Sequence, residues 1–527
     1  MCLEIFLSNV KDLMKDTGSR DNVRIMRGIG GGAVQTLVSI CVSIIQIRLV
    51  VEFLPRDLAG VWFLFLSIGA YFAFFDLGVG PTLSREIGFC VGRAGADKDT
   101  SPEIADIIAT CSMLFRFIAA AVFTVACLAG LLFVKKLSSP AEAGRILAAW
   151  TVFSAGAALN ILGGTAFSAL YGMGHVGTER LNRAVFQVLG LGLAFVALKC
   201  GYGIIGLAAA WAVQNLFARM SAWRLLRRYH PGLKGLKGRP DSAIARRIVV
   251  PSLQWAGMNL GALLILNSDN VLIAALIGSA AIPPYEAAAK VITAIMLLSL
   301  LNISSSVPFL SKAHAAGNRE VFLSLFFRNL RFGMGLIILF SSFFAVFGER
   351  VINAWLGAGN FTGFSVIWIL TAVLILEVHH TIHATVAMSA GHIIFLKAAL
   401  LAGLLKIAAS SWLAGSLGIA GVALGTLAAQ LLTNNWYAPY ITLKTFGIPG
   451  GKYFKEIVVP LVAFLAIALA VDAVLLFLTK GLTNLPALSI SLPVSLALGA
   501  AAFLAIVAPE QDRKALSELL RGTYARS

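Results

Sequence analysis

The chain has 527 residues, 58% of them hydrophobic and only 13% charged, with a formal net charge of +17. Soluble domains carry roughly 25% charged residues, so this composition excludes a soluble globular protein of this length. The positive charge alone would suit a nucleic-acid binder, but its distribution along the chain has a different cause.

Residues 1–27 mix Glu4, Asp12, Asp16 and Asp21 with several basic residues. They lack a small-residue cleavage site, so they read as a cytoplasmic head rather than a removed signal peptide. Apolar runs then recur at about 30–54, 59–78, 108–134, 146–172, 182–199, 203–226, 248–278, 284–308, 331–355, 364–388, 391–415, 418–442, 456–478 and 486–507. Each is long enough to cross a hydrocarbon core of about 30 Å. The runs are continuous and do not alternate, so they predict helices and not barrel strands. The fold class expected is an all-α integral membrane protein of about fourteen spans.

With both termini placed in the cytoplasm, the inner segments hold 30 of the 42 Lys and Arg residues and the outer loops 7. That bias is the positive-inside pattern and accounts for much of the net charge without nucleic acid. Only the outer loop around Lys135-Lys136 resists it. The stretch around 79–107 and the basic linker 227–247 read as inner loops. No loop is long enough for a folded domain, and no GxxxxGK[ST] phosphate loop occurs, which leaves no built-in ATPase. Six cysteines (Cys2, Cys41, Cys90, Cys111, Cys127, Cys200) show no ligand spacing and are expected as free thiols.

A phrase at the end of the second span, Pro81-Thr82-Leu83-Ser84-Arg85, returns at the end of the eighth as Pro308-Phe309-Leu310-Ser311-Lys312. Six spans separate the copies. The chain therefore divides into a head (1–27), a first six-helix bundle (28–226), a basic linker (227–247), a second bundle (248–442), two extra spans (456–507) and a cytoplasmic tail (508–527). Internal repeats of this kind are a common transporter plan, with the substrate site at the repeat interface.

Ionisable groups inside spans are costly and mark functional candidates. Span 1 carries a stripe of Gln35, Ser39, Ser43 and Gln46 on one face, either lining a cavity or bonding a neighbouring helix. Arg48 lies one turn from Glu52, as a local ion pair or an anion site. Arg116 has no acidic residue within a helical turn and either faces an anionic substrate or snorkels. Arg219 follows Asn215 by one turn near an inner span end. Asn267, Asp269 and Asn270 form a polar knot in span 7. Glu286 precedes Lys290 by four residues, the favourable order for a helical ion pair, and Asp269 is a second candidate partner for that lysine. Span 10 holds Glu377, His379, His380 and His383, which suit a proton relay better than a metal site. Lys406 is alone in span 11. Asp76, beside Gly78-Val79-Gly80, reads as fixing a turn. No Ser-His-Asp set or catalytic carboxylate pair stands out, so an enzyme is not expected.

The run Gly60-Val61-Trp62 to Asp76-Leu77-Gly78-Val79-Gly80, followed by Arg85, resembles the first hairpin of Wzx-type polysaccharide flippases of the multidrug/oligosaccharidyl-lipid/polysaccharide exporter superfamily. Ser268-Asp269-Asn270-Val271-Leu272-Ile273, with Gly278, Tyr285 and Ala288-Ala289-Lys290-Val291, resembles the matching hairpin of the second half. The chain departs at Leu54-Pro55, where Leu-Gly is frequent, and its fourteen spans are similar in number to the lipid II flippases rather than to twelve-span members. The resemblance implies two six-helix bundles around a central cationic cavity in the bacterial inner membrane. It also implies alternating access that carries an undecaprenyl-pyrophosphate-type lipid-linked sugar outward for surface polysaccharide such as O-antigen, with other polysaccharide assembly proteins as possible partners. Substrate contacts are expected from Arg48, Arg116, Arg219, Asp269, Lys290, Gln35 and Ser39, and coupling from Asp269, Glu377 and His380. No cofactor is expected beyond an H⁺ or Na⁺ gradient. The alternatives are a drug or cation extruder of the same superfamily, which would want an acidic cavity, and a membrane glycosyltransferase or polysaccharide polymerase, which would want a large outer loop.

Overall fold

A computed structural model describes residues 19–74, 78–94, 101–137, 140–233, 238–391 and 395–509. Asp76, most of the head and almost all of the tail lie outside the described residues. Among those described there is no strand. The helices are α1 (Ser19–Phe53), α2 (Arg56–Phe74), α3 (Val79–Ala94), α4 (Ser101–Leu137), α5 (Pro140–Gly172), α6 (Val176–Lys199), α7 (Gly203–Tyr229), α8 (Ser242–Asn267) and α9 (Asp269–Leu276). They continue as α10 (Ile282–Ala315), α11 (Arg319–Leu356), α12 (Phe364–Ser389), α13 (Leu396–Leu432) and α14 (Asn434–Thr445). Finally α15 (Gly450–Tyr453) runs through one π turn (Phe454–Val458) into α16 (Val459–Leu478), and α17 (Asn484–Ile506) closes the described chain.

Ten of these stretches are both long and apolar enough to cross a membrane, among the described residues. One of the ten, Leu396–Thr445, is two rods. Gly418 sits there at φ 57°, ψ −135°, a backbone conformation that a side chain would strain, and breaks the helix in the middle of α13. Helices α2, α7 and α8, at 19, 27 and 26 residues, also reach about 28 Å or more at 1.5 Å per residue. The protein is a multi-pass, all-helical membrane protein, and fourteen spans fit it.

The stretch 79–107, expected as a loop, instead holds the 16-residue α3 and the start of α4. The reason is amphipathicity. Leu83, Ile87 and Cys90 recur at helical spacing and are buried, yet the segment carries too much charge to read as a span. Likewise α10 does not stop at Pro308 but runs on to Ala315. The linker is held at its end: Asp241 caps α8 by accepting from the Ala243 and Ile244 amides at 2.6 and 3.2 Å. The Arg239 and Asp241 amides in turn donate to Asp106 and Thr110 of α4 at 2.7 and 3.0 Å. Cys41, Cys90, Cys111, Cys127 and Cys200 are free thiols.

Two compact units emerge, Leu13–Pro283 and the chain from Pro284 onward. The division falls after α9 and not in the basic linker, so α8 and α9 pack with the first unit. Specific ties explain it. Ser252 of α8 donates to Thr82 of α3 at 3.0 Å, Arg247 pairs with Glu86 at 2.8 Å, and Asn270 of α9 donates to Ser67 of α2 at 2.9 Å. Arg56 at the start of α2 donates to the Ala280 carbonyl at 3.0 Å. Gly60 lies so close to Ser279 that a Cβ there would collide with its carbonyl.

The first unit centres on α5, packed by α3, α4 and α7, while α1 lies along α6. Its core is aromatic: Trp62, Phe65, Trp150 and Phe153 are fully buried, and Phe153 stacks on Trp211 at 4.5 Å. Glycines face these rings, Gly130 against Trp150 and Gly156 against Trp211. Small residues are how helices approach closely where burial in lipid gives little drive. In the second unit α11 is central, packed by α12, α16 and α17. Its Asn329 accepts from Asn302 and Ser306 of α10 at 2.7 and 3.1 Å.

Candidate functional site: a neutral cavity between α1, α6 and α7

The stripe on α1 meets two glutamines. Ser39, Ser43 and Gln46 line a cavity of about 200 Å³, together with Gln187 of α6 and with Trp211 and Gln214 of α7. Ser39 Oγ donates to Gln187 Oε1 at 2.8 Å. Ser43 turns its hydroxyl back to the Ile40 carbonyl at 2.8 Å. Gly190 opens the floor, because a Cβ there would meet the tip of Gln214. Val42, Leu191, Ala194 and Leu207 complete the wall. The lining thus holds three primary amides, two hydroxyls and one indole face, and no ionisable group. Each amide offers two donors and an acceptor with two lone pairs, a set suited to a ligand that both donates and accepts without net charge.

Gln35, one turn before Ser39, faces a different partner. Its Oε1 accepts from Arg180 Nη1 at 2.7 Å. Arg180 and Arg183, at the start of α6, both pair with Glu179, which is only 4% exposed. Arg183 also lies over the Phe167 ring at 4.1 Å. Two cations against one carboxylate leave a positive surplus beside the polar stripe. From Gln35 to Gln46 the stripe covers about 16 Å of helix. The sequence found the stripe by its spacing. It did not find Gln187 and Gln214, which come from distant segments and carry no local signal, and Arg180 and Arg183 enter it only among the 30 inner basic residues.

The other candidates lie in both units. Arg48 is exposed and pairs with Glu52 at 3.7 Å. Arg116 is exposed on α4 and Arg219 half-buried on α7, and neither forms an ion pair among the described residues. The polar knot at Asn267–Asn270 is where the helix breaks between α8 and α9, with Asp269 half-buried. Lys290 pairs with Glu286 at 3.2 Å. Lys406 is fully buried.

The polar residues of α12 split into three groups. Glu377 accepts from Gln430 at 3.0 Å and from Thr381 at 3.3 Å. His380 Nδ1 meets the Asn434 carbonyl at 2.9 Å. His379 and His383, which share a face as their spacing predicts, both reach the Tyr453 hydroxyl, at 2.6 and 2.9 Å. His383 Nδ1 is buried without a partner. A bare lone pair there costs less than an unpaired N–H, which assigns His383 Nε2–H as donor to Tyr453 and Tyr453 O–H as donor to His379. Tyr453 lies outside the repeat and gave no signal in the sequence.

No protein-family model matches the sequence, and no curated protein matches it. Solved structures do. The lipid II flippase MurJ in its inward closed conformation superposes with a TM-score of 0.67 at 14% identity, covering 94% of this chain and 99% of that one. A multidrug resistance MATE family transporter of the MOP superfamily, inward-facing, gives 0.63 at 15% identity over 79% of this chain and 96% of its own. A MOP superfamily transporter from Pyrococcus furiosus, described as having a binding pocket of reverse polarity, gives 0.54 at 15% identity over 82% and 96%. At such identities the likeness is one of fold: the chain has the fold of MOP superfamily transporters.

Proposed function

We propose that the protein flips a polyprenyl-pyrophosphate-linked oligosaccharide across the bacterial cytoplasmic membrane, for export of surface polysaccharide. One observation carries the reading. The cavity of Ser39, Ser43, Gln46, Gln187, Gln214 and Trp211 is polar but uncharged, and the arginines 180 and 183 stand at one end of its stripe. Sugar hydroxyls both donate and accept, so amides and hydroxyls suit them, and the indole offers a face to the apolar side of a pyranose ring. A pyrophosphate is doubly charged and is matched by guanidinium groups. The lipid tail stays in the bilayer while the head group passes. A cation extruder would want carboxylates in such a cavity, and its lining has none. Likeness of fold to a lipid II flippase supports the same reading, and the positive-inside bias favours an orientation with both termini in the cytoplasm.

The test is flipping in proteoliposomes loaded with a fluorescent polyprenyl-pyrophosphate oligosaccharide, read by loss of signal to a membrane-impermeant quencher. Wild type should flip it. Gln187→Leu/Gln214→Leu, which keeps the volume and removes four donors, should lower the rate at least tenfold while the protein stays monodisperse. Full activity in that variant refutes the cavity as the sugar site.

A further inference from the structure

The C-terminal helix pair carries a carboxyl that nothing above uses. Asp472 of α16 is fully buried. Ser342 Oγ of α11 lies 2.9 Å from its Oδ2, and Ser495 Oγ of α17 lies 2.5 Å from its Oδ1. Both serines are buried as well, at 0% and 2% exposure. Three helices therefore converge on one carboxyl group.

Its charged surroundings are sparse. Neither α16 nor α17 contains any other ionisable side chain. On α11 the nearest are Glu349, which is exposed, and Arg350, about 12 Å farther along the helix than Ser342. Arg350 Nη1 is committed to the Thr479 carbonyl at 3.1 Å, and Phe343, Phe347 and Leu475 form an apolar cluster there. Arg331 lies about 16 Å along α11 the other way. Lys455 and Glu456 of the π turn stand some four turns before Asp472. No ion pair reaches Asp472 among the described residues. An ionised carboxylate would be an uncompensated charge in an apolar three-helix seam, and such charges are strongly disfavoured.

Counting hydrogens points the same way. A serine hydroxyl has one hydrogen. Ser342 Oγ lies within reach of two acceptors, the Leu339 carbonyl at 3.0 Å and Asp472 Oδ2 at 2.9 Å. With Asp472 ionised, that one hydrogen must be shared between two acceptors, which leaves the carboxylate under-satisfied. With a proton on Oδ2 the chain closes. Asp472 Oδ2–H donates to Ser342, Ser342 donates to Leu339, and Ser495 donates to Asp472 Oδ1.

We propose that Asp472 is a proton-binding site, occupied whenever α16 and α17 are packed on α11. The proton comes from water onto the free carboxylate as the seam closes, and returns to water when it opens. Seating of the helix pair and proton binding are thus linked, each favouring the other. The proposal stands whether or not the substrate reading does.

Two measurements on the full-length protein test it. Dicyclohexylcarbodiimide modifies protonated carboxyls in apolar surroundings, and mass spectrometry locates the adduct. The adduct is expected on the Asp472 peptide in mildly acidic buffer, lost in alkaline buffer, unchanged when sodium replaces potassium, and absent in Asp472→Asn. Protection by sodium would overturn the proposal in favour of a sodium site. The second measurement covers a reagent that fails to penetrate. An asparagine has one acceptor and one donating group, like the acid and unlike the carboxylate, so Asp472→Asn should melt within a degree or two of wild type and Asp472→Leu well below it. An asparagine variant that melts as low as the leucine one would overturn the proposal.

Discussion

Ser84 Oγ donates to the backbone carbonyl of Ser168 at 2.9 Å, and Ser311 Oγ donates to that of Ser389 at the same distance. The first contact ties α3 to the last turns of α5 in one unit; the second ties α10 to the last turn of α12 in the other. The preceding leucines, Leu83 and Leu310, are both fully buried. The recurring Pro-x-Leu-Ser phrase therefore repeats a contact as well as a string of letters. What differs between the copies is local. Thr82 receives the Ser252 hydroxyl, where the second copy has Phe309.

Ser84→Ala and Ser311→Ala should each lower stability by about 0.5–1.5 kcal/mol, the net worth of one hydrogen bond. Because the two contacts lie in separate units and share no partner, the effects should add. Thermal unfolding of both single variants and the double variant in one detergent checks this.

The order and type of elements were legible because apolar runs of span length are long, continuous signals. The α1 stripe was legible for the same kind of reason: spacings of four, four and three put polar atoms on one face. What could not be read comes from residues far apart in sequence. Gln187 and Gln214 become cavity residues only through the packing of α6 and α7 on α1. Tyr453 matters only because the chain after the second bundle returns to α12. Asp472 did carry a signal, as the one acidic residue between Glu456 and Glu510, in a span outside the repeat. Helix α3 was not legible as a span because an amphipathic helix with charges on one face has no continuous apolar run.

The two arginines beside the cavity should separate on mutation. Arg183 pairs closely with buried Glu179 and covers Phe167, whereas Arg180 stands 3.7 Å from the same carboxylate. Removing Arg183 strips Glu179 of its closer partner, at about 1–3 kcal/mol once the arginine's own exposure is allowed for. Removing Arg180 should cost less than about 1 kcal/mol. Arg183→Ala is thus expected to melt lower than Arg180→Ala, while Arg180→Ala keeps its fold and binds a pyrophosphate lipid more weakly. Melting curves paired with lipid binding by native mass spectrometry resolve the two; equal melting would refute the ordering.

Two glycines make a matched pair. A methyl at Gly60 meets the Ser279 backbone, which cannot turn aside, and a methyl at Gly190 meets the tip of Gln214, which can. Overpacking against backbone costs typically 1–3 kcal/mol. Gly60→Ala should therefore destabilise the first unit. Gly190→Ala should leave stability close to wild type yet narrow the cavity and slow flipping. The check is a melting curve and a flipping rate for each variant, and the opposite assignment of effects would contradict the packing described.

Tyr453 offers a test in which adding a second mutation repairs the first. His383 is fully buried, its Nδ1 has no partner, and its Nε2 bonds only the Tyr453 hydroxyl. Tyr453→Phe keeps the ring and removes that oxygen, leaving a buried N–H unpaired at about 1–3 kcal/mol. Replacing both members by apolar groups of similar shape removes the unpaired group as well, which can be nearly neutral. His383→Phe in the Tyr453→Phe background should accordingly recover part of the lost stability, giving a coupling of about 1–2 kcal/mol in a double-mutant cycle. His379 accepts at this hydroxyl, so losing it leaves only a bare lone pair, and His379→Phe should show weaker coupling to Tyr453. The cycle is read from chemical or thermal unfolding of the single and double variants. Additive losses at positions 453 and 383 would mean that the hydroxyl bridge contributes nothing to holding α15 against α12.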